Sequence, residues 1–118
     1  MQTAEPYLAL FDSGAKDNFI LRSVALERRL DIYPLPGKGI TVKLPGGKEI
    51  QASEYVRPDW SILLIGRNRH RKFLFIVLDQ LPNNLEIVIG VYASRELGIG
   101  HFYTDPSLLV IHVDEGAG

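Results

Sequence analysis

Short apolar runs and short stretches of alternating apolar and polar residues follow one another along most of this chain. Runs of this length are typical of β-strands, whereas an amphipathic helix needs a longer stretch with apolar residues three or four positions apart. The apolar runs that predict buried strands lie at 7–11, 60–65, 73–78, 85–90 and 108–113.

Two hairpins are predicted from the same pattern. Apolar and polar residues alternate in 40–44 and in 49–52, and the segment between them, Pro45-Gly46-Gly47-Lys48, has the composition of a tight turn. The apolar runs 60–65 and 73–78 are predicted to pair in a second hairpin, with the basic segment 66–72 as its loop.

Only short helices are predicted. Ser23 precedes the stretch 24–30 and is expected to cap a helix there, and residues 92–97 predict one or two helical turns that end at Gly98. Two prolines in 33–37 predict a linker. With seven or so strands and one or two short helices, the sequence predicts a mostly-β fold, either a small barrel or a sandwich.

Composition narrows the class of protein further. The chain has 118 residues, which suits a single domain over 1–118 with a polar tail at 114–118. There is no cysteine, so disulfides, thiol nucleophiles and cysteine-ligated zinc are excluded. A net charge of −1 gives no general attraction to nucleic acid or to an anionic membrane. We expect an intracellular, cytoplasmic protein, because the N-terminus lacks the pattern of a signal peptide.

One short motif stands out for its chemistry. The apolar run 7–11 leads directly into Asp12-Ser13-Gly14, and Ala15 follows. Because all three residues of Asp-Ser-Gly also favour turns, the motif alone is consistent with an ordinary strand-ending turn. Its setting favours a functional motif over an ordinary turn, because a glycine-tipped hairpin and a second apolar strand ending in glycine follow it along the chain.

The order of these motifs resembles the retroviral-type, or retropepsin-like, aspartic proteases, and most closely those of gypsy-type LTR retrotransposons. "ALFDSGAKDNFI" is similar to that family's active-site strand and turn, "ITVKLPGGKEIQASEYV" to its flap, and "NLEIVIGVYASRELGI" to its apolar strand and following helix. The resemblance implies a small closed acid-protease barrel with a flap at about 40–56. It also implies an endopeptidase that processes a retroelement polyprotein, with retroelement particles as an alternative location to the open cytoplasm.

Such a protease hydrolyses peptide bonds through a water held between two carboxylates that share one proton. Of the seven aspartates in the chain, only Asp12 lies in an Asp-(Ser/Thr)-Gly motif. The second carboxylate is therefore expected from Asp12 of an identical subunit, in a homodimer with a two-fold axis through one shared active site.

The resemblance assigns further residues around Asp12. Ser13, Gly14 and Ala15 would form the active-site loop. Other residues would bind a polypeptide substrate, with Gly14 bonding its backbone and Lys16 affecting which peptides are accepted, because relatives commonly have Thr or Asp there. The substrate-binding residues implied in this way are Gly14, Lys16, Asp17, Pro45, Gly46, Gly47, Leu85 and Val88.

Several alternatives remain at this point. A retropepsin-like module in a cellular protein could dimerise or bind peptides with weak or no catalysis, and a plain structural β-domain could carry Asp-Ser-Gly by accident. The basic cluster at 67–72 could contact phosphates, but a solvated hairpin tip is favoured because no aromatic residues interleave the charges. We therefore expect no nucleic-acid or membrane partner, no metal and no cofactor.

Overall fold

A computed structural model describes residues 7–11, 15–43, 47–64, 67–96 and 107–114. In this part of the chain strands dominate, and the helices are short. The strands are β1 (Tyr7–Phe11), β2 (Asn18–Leu21), β3 (Tyr33–Pro34), β4 (Ile40–Lys43), β5 (Glu49–Ala52), β6 (Glu54–Val56), β7 (Asp59–Leu64), β8 (Arg67–Lys72), β9 (Phe75–Leu78), β10 (Ile87–Ile89) and β11 (Ser107–Asp114). The helices are α1 (Arg22–Glu27), the 3₁₀ turn Pro82–Asn84 and α2 (Val91–Glu96).

Nine of the described strands form one sheet, in the order β3-β6-β9-β2-β10-β1-β11-β7-β8, and β4 and β5 form a separate two-stranded sheet. Strand β10 lies between β1 and β2, although β1 and β2 are consecutive in the sequence. The mostly-β class and the short helices are confirmed. The closed barrel is not, because among the described residues β3 and β8 remain at opposite edges of the sheet.

The main core lies around β1, β2, β9 and β10. Alternate residues of β1 are buried, so this strand covers the core with one face. Every residue of β9 and β10 is buried, as expected of strands that are covered on both faces. Phe75 and Val77 of β9 belong to the main core, whereas Ile76 and Leu78 pack in a second cluster with the β4–β5 hairpin.

Both α-helices add small or apolar side chains to the main core, and two arginines at the ends of α1, Arg22 and Arg28, make charged contacts. Val24 and Ala25 of α1 and Ala93 of α2 are buried there. The guanidinium of Arg28 lies 3.9 Å from the ring centroid of the buried Tyr7. Arg22 is bonded through Nε to Asp79, at 2.5 Å, and through Nη1 to Glu54.

The second hairpin is not the one that the apolar pattern predicts. Strand β7 pairs with β8, which is the basic segment itself, and β9 pairs instead with β2 and β6. The prediction of a loop at 66–72 was wrong because it relied on side-chain polarity. An edge strand needs only one ladder of backbone hydrogen bonds, and it tolerates charged side chains well.

Smaller differences concern element ends. Helix α1 begins at Arg22, with Leu21 at its N-cap and no side-chain cap, so Ser23 is a helical residue and not the cap. The helix is shorter than predicted, because Arg29 adopts a positive φ of 58° that ends it.

The predicted linker at 33–37 contains a short strand, β3, which pairs with β6. Its position at the sheet edge explains why Pro34 is accepted there. Strand β10 is shorter than the predicted 85–90, since the 3₁₀ turn Pro82–Asn84 precedes it. The expected helix over 92–97 is present as α2, and Gly98, its predicted cap, lies outside the described residues.

Candidate functional site

Two parallel strands end side by side where the Asp-Ser-Gly motif begins. Strand β1 pairs with β10 in parallel, with Leu10 opposite Val88 and Phe11 opposite Ile89. The carboxyl ends of neighbouring parallel strands lie at the same edge of a sheet. The chain therefore enters Asp12-Ser13-Gly14 beside the point where the second apolar strand reaches Gly90. Asp12, Ser13 and Gly14 themselves lie outside the described residues.

The segment that follows the motif passes directly over Gly90. The backbone N–H of Val91 donates to the carbonyl of Ala15 at 2.8 Å. A Cβ placed on Gly90 would lie 2.6 Å from the carbonyl oxygen of Asp17 and 2.8 Å from that of Ala15. These distances are too short for any side chain, so this close approach of two backbone segments requires glycine.

Asn18 joins three segments at this edge. Its Oδ1 accepts a hydrogen bond from the N–H of Gly90 at 2.8 Å, and its Nδ2 donates to the carbonyl of Leu74 at 3.1 Å. One amide side chain therefore connects the start of β2, the end of β10 and the segment before β9. Sequence analysis missed Asn18, and no pattern in the sequence singles it out from other polar residues that begin a strand.

The remaining predicted residues of this loop lie on the returning segment. Ala15 is half-buried beneath Val91, while Lys16 and Asp17 are exposed. An exposed lysine and an exposed aspartate next to the motif are accessible to a charged ligand. The structure therefore brings Ala15, Lys16 and Asp17 together with Gly90 at one edge of the sheet.

The two predicted pocket residues, Leu85 and Val88, occupy different positions. Val88 is 6 % exposed and lies beside Leu10, one residue before the end of β10. Leu85 is 2 % exposed and precedes the amino end of β10. Because a strand rises about 3.3 Å per residue, Leu85 lies roughly 16 Å along the chain direction from Gly90. Leu85 is therefore not brought together with the other residues.

The predicted flap is a hairpin with the expected strands. Strands β4 and β5 pair in register from Ile40 opposite Ala52 to Lys43 opposite Glu49. Gly47 is exposed and has a φ of +86°, which favours glycine in the turn. Pro45 and Gly46 lie outside the described residues.

The base of this hairpin is anchored to the large sheet. Val42 and Ala52 are buried and pack with Ile76 and Leu78 of β9, which is the strand next to β2. Strand β2 follows the Asp-Ser-Gly loop, so the hairpin base and the loop are joined through two neighbouring strands.

The described residues contain no group of three or more His, Asp or Glu side chains arranged to hold a metal ion. Among the helices that the structure describes, none has the length and apolar character needed to cross a membrane. Comparison of the chain with protein-family models, with curated proteins and with solved structures finds no match.

Proposed function

We propose that this protein is an aspartic endopeptidase, active as a homodimer, in which Asp12 of both subunits activates the water that hydrolyses a peptide bond. The observation that carries the proposal is the parallel pairing of β1 with β10, with Gly90 in backbone contact with residues 15–17. This arrangement brings the residues on both sides of the Asp-Ser-Gly segment, Phe11 and Ala15, to the same end of the sheet.

A rigid frame matters for this chemistry because it works only with well-positioned groups. One carboxylate removes a proton from the water as it attacks the carbonyl carbon, and the other, protonated, polarises the carbonyl oxygen. The bond to the leaving amine then breaks as the amine receives a proton. Errors of about 1 Å in such positions can cost about a hundredfold in rate. The close packing of residues 15–17 against Gly90, with Asn18 bonded to the Gly90 N–H, therefore supports the assignment.

The β4–β5 hairpin supports a role in binding substrate. An extended peptide would lie between this hairpin and the Asp-Ser-Gly loop and form strand-like backbone hydrogen bonds. Gly47, with Pro45 and Gly46, would form the tip that closes over the peptide and excludes water. The open sheet would belong to the retropepsin-like fold, and the natural substrate would be a retroelement polyprotein.

The experiment is incubation with a mixed peptide library, read by mass spectrometry, for the natural sequence, for Asp12→Asn and for Asp31→Asn. Asp31 is exposed and lies outside the proposed site, so Asp31→Asn is the matched control. We expect Asp12→Asn to abolish cleavage while the protein stays folded, and Asp31→Asn to cleave normally. Activity should be highest at mildly acidic pH, because the pair must share one proton.

Two outcomes would contradict the proposal. Cleavage that survives in Asp12→Asn, or an optimum above about pH 8, would exclude a shared-proton aspartate pair. Peptides that are bound but not cut by the natural sequence would favour the alternative, a retropepsin-like module for dimerisation or peptide binding.

A further inference from the structure

The segments that enter and leave the β4–β5 hairpin are in direct contact with each other. Leu35, which precedes the hairpin, donates its N–H to the carbonyl of Ser53, which follows it, at 2.8 Å. A Cβ placed on Gly39 would collide with the carbonyl oxygen of Ala52, so the two backbones touch at this point as well. The pairing of β3 with β6 therefore continues through these contacts into the base of the hairpin.

One side chain joins the same two segments by hydrogen bonds. Oε1 of Gln51, on β5, accepts a hydrogen bond from the hydroxyl of Thr41, on β4, at 2.9 Å. Nε2 of Gln51 donates to the carbonyl of Lys38, in the turn that enters β4, at 2.8 Å. An amide suits this position, because it has an acceptor oxygen and a donor nitrogen at the same end of the side chain.

The backbone of the entering turn explains what the bond to Lys38 does. Gly37 and Gly39, on either side of Lys38, have φ values of +66° and +79°. Both values lie in the left-handed region, which glycine reaches easily, but glycine also leaves the chain more freedom than any other residue. The bond from Gln51 therefore restrains the turn at the residue between its two most flexible positions.

The inner face of the hairpin is fixed only near its base. Val42 and Ala52 are buried against β9, whereas Lys43 and Glu49, which pair further along, are exposed. Because an extended chain rises about 3.3 Å per residue, Gly47 lies roughly 13 Å beyond residue 51. A small rotation of the base is therefore enlarged at the tip, and the contacts of the base decide how far the tip lies from the sheet.

We infer that Gln51 is a positioning residue for substrate binding, which holds the hairpin at the distance from the sheet at which its tip meets a bound peptide. This inference rests on the proposed peptidase function, in which an extended peptide lies between the hairpin and the Asp-Ser-Gly loop. Gln51 acts through the hairpin and does not touch the reacting atoms. A hairpin that is already in position loses less freedom when the peptide binds, so Gln51 lowers KM and leaves kcat unchanged.

The test is Gln51→Glu, which keeps the length of the side chain and the acceptor for Thr41 but replaces the donor to Lys38 by an ionised oxygen. At about pH 6, where the introduced carboxyl group is charged, KM should be about three- to tenfold that of the natural chain, with kcat unchanged. Below about pH 4 the protonated carboxyl group can donate to the Lys38 carbonyl, and the ratio of the two KM values should return towards one. A residue that only stabilises the fold would give no such recovery.

Two controls separate the bond to Lys38 from charge and from general stability. Gln80→Glu makes the same change at an exposed glutamine outside the hairpin, so its KM should match that of the natural chain at every pH. Thr41→Val leaves the bond between Gln51 and the entering turn intact and should raise KM less than Gln51→Glu does. All variants keep the charged neighbours of Gln51, which are Lys38, Lys43 and Glu49.

Amide hydrogen exchange tests the base of the hairpin without any peptide. In Gln51→Glu at about pH 6, the amides of Leu35 and Gly39, which bond to Ser53 and to Pro36, should exchange faster than in the natural chain. The amides of β1 and β10 should be unaffected. Equal exchange at Leu35 and Gly39 in the two proteins would overturn the inference.

The kinetic outcomes separate this inference from the proposed function. If the natural chain cleaves peptides but Gln51→Glu has an unchanged KM, or a raised KM that does not recover at low pH, the positioning role is wrong and the peptidase stands. If the natural chain cleaves no peptide at all, the proposed function is contradicted, and the role of Gln51 in substrate binding falls with it.

Discussion

Gly90 is the residue whose identity the structure explains most fully. Its φ is outside the left-handed region, so conformational freedom is not the reason for glycine here. The reason is steric, since two backbone carbonyl oxygens lie within 2.8 Å of where a Cβ would be. Backbone atoms cannot move aside as the end of a flexible side chain can. Any substitution at Gly90 must therefore displace the backbone of residues 15–17.

We therefore predict that Gly90→Ala destabilises the protein by about 2 kcal/mol, which is typical of an inserted methyl group in a packed site. Displacement of residues 15–17 should also lower the proposed peptidase activity by about a hundredfold. Urea unfolding and peptide turnover measure the two effects. Unchanged activity in Gly90→Ala would show that this contact does not position the proposed active-site loop.

Gly37 provides the matched control. It has a φ of +66° and no atom within 4 Å of where a Cβ would lie. Gly37→Ala therefore introduces backbone strain but no steric clash. We expect a loss of stability of about 1 kcal/mol and unchanged activity. A similar activity loss in both variants would indicate a general effect of reduced stability.

At the residue scale, sequence analysis identified part of the candidate site. The Asp-Ser-Gly motif and the glycine that ends "IVIG" were visible because each interrupts an apolar run. Asn18 was not visible, since its hydrogen bonds reach Gly90 and Leu74, 72 and 56 positions away. Local patterns carry no information on such distant partners.

At the scale of elements, the β4–β5 hairpin depends on a small apolar anchor. Val42 is 6 % exposed and packs with Ile76 and Leu78, whereas its neighbour Thr41 is exposed and bonds only to Gln51 among its described hydrogen bonds. Substitutions on the two faces of β4 should therefore affect the stability of the protein differently.

We predict that Val42→Ala lowers the free energy of unfolding by about 1.5 kcal/mol, because it leaves a cavity beneath the hairpin. Amide hydrogen exchange in β4 and β5 should accelerate more than in β1 and β10. Thr41→Ala, on the opposite face, should change stability by no more than about 0.5 kcal/mol. If amide hydrogen exchange in β4 and β5 were equally fast in Val42→Ala and in Thr41→Ala, the buried anchor at the base of the hairpin would be contradicted.

A second connection between elements is ionic. Hydrogen bonds to Asp79 and to Glu54 raise the pKa of the Arg22 guanidinium above its ordinary value. A raised pKa in a cation stabilises the folded state at every pH below its unfolded value, and that stabilisation is lost only as the pH rises through the folded pKa. Arg22 therefore stays charged at neutral pH, where it joins α1 to β6 and to the end of β9.

Element pairing was harder to predict than element position. Strands β1, β4, β5 and β11 lie close to the apolar or alternating runs that predicted them. The predicted pairing of the runs that form β7 and β9 was wrong, because strand pairing depends on which strands lie next to each other in the whole sheet. Residues 67–72 were predicted as a loop because they are basic, but they form β8 at the edge of the sheet, where a strand does not need apolar side chains.

At the scale of the whole molecule, the proposed chemistry requires two chains. A single chain supplies one aspartate in the required motif, so the proposed active site exists only on a two-fold axis. Dilution should therefore abolish peptide cleavage, with a second-order dependence on the concentration of the chain, because the site is built from two chains.

The most direct test of the shared active site is to mix the natural chain with Asp12→Asn at constant total concentration and measure peptide cleavage after subunit exchange. If each site needs Asp12 from both subunits, an equal mixture should retain about a quarter of the activity, because only that fraction of random dimers has both carboxylates. The same mixture with Asp31→Asn should retain full activity. An equal mixture with Asp12→Asn that retains about half of the activity would contradict the account, since each subunit would then act alone.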